Sequence, residues 1–79
     1  MKNLKRLRAI KYNYSRRRYN QSIIAVKFVR SLGLSVDYSK YPEVTIRRCF
    51  DTIKLIGDDH QRLEALERLC DLLGDEKFQ

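Results

Sequence analysis

The sequence predicts an all-α protein: a small three-helix bundle preceded by a basic N-terminal helical arm, four helices in total. Three observations carry this reading. Each of the three glycines follows a run of apolar residues at helical spacing: Leu32-Gly33-Leu34, Ile56-Gly57-Asp58 and Leu73-Gly74-Asp75. A glycine just past a helix end adopts the left-handed conformation that closes the last turn, so all three read as helix stops. Period-two alternation, the mark of a half-buried strand, appears nowhere convincingly. Finally, residues 1–30 hold ten basic side chains and no acidic one, which sets the first third of the chain apart from the rest.

The arm comes first. Leu4, Leu7, Ile10 and Tyr14 share a face at spacings of three, three and four, while Lys5, Arg6, Arg8 and Lys11 point away from it. Residues 4–19 therefore predict a helix. Residues 13–20, with three adjacent arginines, are poor helix material and read as a linker or a frayed end. The expected division is an arm over residues 1–20 and a bundle over residues 21–79.

Working back from each glycine gives the bundle. The first core helix is expected from Ser22, a plausible N-cap, to Leu32, with Ile24, Ala25, Phe28, Val29 and Leu32 inward. Ile23 and Val26 widen its apolar surface, leaving Lys27, Arg30 and Ser31 as a narrow polar stripe. The second begins at Pro42, whose fixed φ suits a first helical position, with Glu43 complementing the helix dipole. It carries Ile46, Cys49, Phe50, Ile53 and Ile56 on one face. The third opens on Asp58-Asp59 and carries Leu63, Leu66, Leu69, Cys70 and Leu73, with Glu64 and Arg68 as an i,i+4 pair. Residues 34–41 are the one substantial loop expected inside the core, with Tyr38 and Tyr41 covering apolar surface.

A chain of 79 residues makes one domain. At that size folding buries only about 60–65% of the unfolded surface, which leaves little room for a cofactor-sized cavity and a catalytic apparatus. The expectation is a non-enzyme with no cofactor and no small-molecule substrate. His60 is the single histidine and has no second His or Cys placed to complete a zinc site. Each glycine already serves as a helix stop, so none is left for a phosphate-cradling loop. Cys49 and Cys70 fit no ligand spacing and read as small buried hydrophobes, which implies the cytoplasm or another reducing compartment. The longest apolar run, Ile23-Ile24-Ala25-Val26, is far short of the ~20 residues a membrane span needs. The basic start lacks the apolar region of a secretory signal.

The charge pattern points to a partner. The net charge of +7 combines +10 over residues 1–30 with −3 over residues 31–79. Concentrating one sign this way costs folding energy through self-repulsion unless an anionic partner relieves it. Tyr12, Tyr14 and Tyr19 alternate with Lys11 and Arg16-Arg17-Arg18. Cations release counterions from phosphates, rings stack on unpaired bases, and arginine's planar fork grips phosphate oxygens in pairs. The candidate nucleic-acid-binding residues are Lys5, Arg6, Arg8, Lys11, Arg16, Arg17, Arg18, Tyr19, Lys27 and Arg30. RNA, or a place in a ribonucleoprotein, is slightly preferred over DNA. Residues 28–35 and 45–50 resemble parts of a helix-turn-helix motif, but about eight residues connect them where the motif's turn takes three or four. The alternative is a protein-interaction module, a regulatory subunit or phage-type inhibitor docking its arm on an acidic protein surface, with a homodimer among the possible partners. Attachment to an anionic membrane through Leu4, Leu7 and Ile10 ranks below it, because that face is short and lacks tryptophan and phenylalanine.

Overall fold

The computed structural model describes the backbone of residues 2–74 and the side chains of residues 16–74. It is all-helical: α1 spans Lys2–Ser31, α2 Pro42–Ile53 and α3 Asp59–Leu73. Among the described residues there is no strand. A separate fourth helix over residues 4–19 falls largely on residues 1–15, whose side chains lie outside the described set.

The expected linker does not interrupt residues 16–22, which are helical and continuous with the rest of α1. Ser22 is no N-cap: it is buried, and its hydroxyl donates 2.6 Å to the Tyr19 carbonyl one turn back. The reason is tertiary. Gln21 and Ser22 both lie against the bundle, and packing of this kind overrides the weak local penalty of adjacent arginines.

The helix ends show where glycine is needed. Gly33 has φ of 81°, with its N–H bonded to the Arg30 carbonyl (3.0 Å) and the Leu34 N–H to the Val29 carbonyl (3.4 Å). That double closure is a Schellman cap. Gly74 likewise ends α3 with φ of 64°. Gly57 departs from expectation. Its φ is not positive, and α2 has already ended at Ile53, where bonds from Leu55 N–H to Thr52 and from Ile56 N–H to Ile53 tighten the last turn. The Arg62 guanidinium then donates to the Ile56 carbonyl at 2.9 Å. We expect Gly33→Ala to cost about 1 kcal/mol through its backbone alone, since open space surrounds the position. Gly57→Ala should change stability by less than about 0.5 kcal/mol. Chemical denaturation of both variants checks the contrast.

Three sets of contacts fix the topology. Arg18 on α1 faces Glu43 in the first turn of α2, at 4.0 Å. Gln21 donates 3.0 Å to the carbonyl of Leu73, the last residue of α3. Phe28 and Leu32, near the end of α1, share a groove with Ile56, just past α2, and with Ala65 in the first half of α3. Helices α1 and α2 therefore run parallel, and α3 runs against both. The chain returns from the end of α1 to the start of α2 through a crossover, residues 32–41. Val36 plugs into the core from the middle of that crossover. The crossover is held at its end by Thr45, 1% exposed, whose hydroxyl accepts from the Ser39 N–H at 2.7 Å. It is longer than a helix-turn-helix turn.

The core consists of Ala25, Val26 and Val29 from α1, Val36, Ile46, Cys49 and Ile53 around α2, and Ala65, Leu69 and Leu73 from α3. The predicted faces of α1 and α3 are rotated slightly from those observed. Val26 is inward, while Ile24, Leu32 and Leu63 are exposed. Burial pushes the Cys49 thiol up from 9.0 to about 11. At pH 8 only about one such thiol in a thousand is ionised, and the thiolate is the reactive form. In timed alkylation at pH 8, half-buried Cys70 should label well before Cys49, with both labelling together once the chain is denatured. The sign for stability follows. The raised thiol contributes fully below pH 9, and that contribution is lost as pH rises through about 11.

Candidate nucleic-acid interface

Helix α1 presents two different sides. Arg18, Gln21, Ser22, Ala25, Val26 and Val29 turn to the bundle, and the opposite side is solvent. Along the middle of that outer side run Arg16, Asn20 and Lys27, all exposed, at spacings of four and seven. At 1.5 Å per residue, Arg16 and Lys27 stand about 16 Å apart along the axis. Arg17, Ile24 and Ser31 flank this row on one side at intervals of seven, and Tyr19 and Arg30 on the other. There is no carboxylate on the helix. The field of this face is therefore positive along its whole described length, with no neighbour on α1 to neutralise it.

The candidate residues separate by environment. Arg16 and Arg17 are exposed, Tyr19 is 58% exposed, and Lys27 is exposed. Arg18 is half-buried and faces Glu43, so in this structure it joins α1 to α2. With Glu43 largely in solvent, that pair contributes at most about 1 kcal/mol. Arg30 is exposed but engaged: its guanidinium donates 3.1 Å to the Val36 carbonyl and lies 5.4 Å from the centre of the Tyr38 ring. It thereby pins the crossover. Lys5, Arg6, Arg8 and Lys11 lie outside the residues whose side chains are described.

Sequence reasoning missed two residues here. Asn20 occupies the centre of the cationic face, and Gln21 anchors α1 to the C-terminal carbonyl of α3, where helix acceptors otherwise lack partners. The signal for both was the helical period itself. Counting back from Ala25 by seven puts Arg18 inward and leaves Asn20 outward between Arg16 and Lys27.

The other two helices mix signs, with Arg62 and Arg68 on α3 among four acids. Helix α3 carries Asp59, Glu64, Glu67 and Asp71, all exposed, and α2 carries exposed Glu43 and Asp51 beside Arg47 and Arg48. His60 is exposed in the first turn of α3, with Nε2 3.7 Å from Glu64. Among the described residues, no group of His, Cys, Asp or Glu is arranged to hold a metal ion, and no helix is long and apolar enough to cross a membrane. Compared with known proteins, the chain matches no family model, no curated protein and no solved structure.

Proposed function

We propose that this protein binds nucleic acid, contacting phosphates through the basic stretch that begins the chain and continues along the outer face of α1. One observation carries the reading. Arg16, Arg17 and Lys27 are exposed on a helix that has no acidic residue to balance them, while acids crowd α3 on the far side. A solvated helix face normally mixes signs, because like charges repel and interspersed pairs stabilise. An anionic partner turns the repulsion into attraction by counterion release. The bundle acts as the folded anchor, and the acidic side limits how the protein approaches a polyanion. In this reading the protein performs no chemistry of its own.

The test is a titration of the full chain against duplex DNA, single-stranded DNA and structured RNA at low salt. Binding to at least one of them, with Kd at or below about 10⁻⁴ M, is expected. Undetectable binding to all three contradicts the proposal.

A second reading, a module docking on a protein, has its own supporting observation. At the other end of α1, Phe28, Leu32, Leu34, Ile56 and Ala65 line an open groove of about 600 Å³, rimmed by Glu64 and Arg68. Leu32 is 42% exposed there. This groove lies away from Arg16 and Arg17, so a protein partner there leaves the cationic end of the face accessible.

A further inference from the structure

The shape of the cationic face narrows the class of nucleic acid. Building on the nucleic-acid-binding reading above, we infer that α1 docks in the major groove of duplex DNA, with Arg16, Arg17 and Lys27 on phosphates and Asn20 turned to the base edges. This departs from the slight preference for RNA that the tyrosines and arginines suggested in the sequence.

The first argument is size. Residues 16–31 belong to one helix, and an α-helix with its side chains is about 10–12 Å across. The major groove of B-form DNA is about 12 Å wide and admits such a helix, whereas the deep, narrow major groove of A-form RNA does not.

The second argument is the order of residues along the face. Arg16 and Lys27 stand about 16 Å apart along the axis on either side of Asn20, so where the straight helix leaves the curving groove their long side chains reach the phosphates. Asn20 stands between them, above the floor. Its carboxamide has the donor and acceptor needed to pair with adenine N6 and N7 together. Ile24, 41% exposed on the flank, supplies an apolar surface of the kind that meets a thymine methyl.

The third argument is where the aromatics with described side chains lie. Single strands are held by aromatic rings on which successive bases stack. Of the aromatics with described side chains, Tyr19 alone is exposed on α1. Tyr38 and Tyr41 belong to the crossover, and the rings lie near Arg30 (5.4 Å) and Lys40 (6.0 Å). Helix α2 balances Glu43 and Asp51 with Arg47 and Arg48, and α3 sets four acids against Arg62 and Arg68, so the outer face of α1 is the one with an excess of positive charge to approach a duplex.

The experiment measures fluorescence anisotropy of the full chain with a duplex DNA of about two turns, the duplex RNA of the same sequence, and each single strand. It is followed by selection of bound sites from a randomised DNA duplex pool. The inference expects duplex DNA to bind at least tenfold tighter than duplex RNA or either single strand. It also expects selected sites to share an adenine preference that Asn20→Ala abolishes. On a selected site Asn20→Ala should lose about tenfold in affinity, yet keep the wild-type salt dependence and helicity, since Asn20 is exposed and alanine favours helix. RNA or a single strand binding as tightly as duplex DNA overturns the inference and leaves the proposed function standing, and so does an adenine preference that is absent or survives Asn20→Ala. No binding to any of them overturns both.

Discussion

Leu69→Ala should lower stability by about 3 kcal/mol and the melting midpoint by about 12–24 °C. Leu69 is 0% exposed and among the largest fully buried side chains, in a core shared by all three helices. Deleting its isobutyl end removes buried apolar surface and leaves a cavity that helices fixed on both sides fill only partly. A domain of 79 residues has a total stability of only about 4–12 kcal/mol, so the loss is a large share of it. Leu63, six residues earlier on the same helix, is the matched control. It is 57% exposed, and Leu63→Ala should stay within about 0.5 kcal/mol of wild type. Thermal unfolding followed by circular dichroism separates the two. Equal losses would mean that α3 is rotated from the orientation described.

Replacing Arg16, Arg17 and Lys27 together with alanine should weaken nucleic-acid binding by about 10²-fold or more near 0.1 M salt, because each phosphate contact contributes about a factor of eight there. The fold should survive. All three side chains are exposed, alanine is the better helix former, and relieving like-charge repulsion within α1 offsets any loss of packing by the long stems. The comparison is Arg47→Ala with Arg48→Ala on α2. These cations lie among Glu43 and Asp51, which cancel much of their field, so the double variant should bind within about twofold of wild type. Anisotropy titrations at fixed salt measure both.

The two pairs of variants also mark how far sequence reasoning reached. Leu69 and Leu63 occupy the same predicted stripe, and the period alone does not tell them apart. Which edge of a wide apolar stripe is covered depends on where the neighbouring helices sit, and the parallel crossover that sets this leaves no local signature. Gly33 and Gly74 were legible because a left-handed cap requires glycine. Gly57 looked identical in sequence but lies beyond the tightened end of α2, where glycine is not required. Residues 16–20, read in the sequence as part of a linker or frayed end, are helical because the penalty of adjacent arginines is local, whereas the anchoring of neighbouring Gln21 to α3 is not. Thr45 and Gln21, both buried, were invisible to a search for apolar spacing: the Thr45 hydroxyl bonds the crossover and the Gln21 Nε2 donates to Leu73, although Gln21 Oε1 has no partner among the described residues. On the candidate face, Arg16, Arg17 and Lys27 were legible as an unbalanced charge run. Arg18 belongs to the same run but to the opposite side of the helix, and only the continuous period through residue 25 separates it from its neighbours.

The central claim is that exposed cations of α1 contact phosphates. Its most direct test is the slope of log K against log salt concentration for the wild-type chain on duplex DNA. Three phosphate contacts predict a slope of about −2.7 or steeper, and the alanine variant at Arg16, Arg17 and Lys27 should flatten it by about that amount. A wild-type slope near zero, or one that the variant leaves unchanged, would contradict the account.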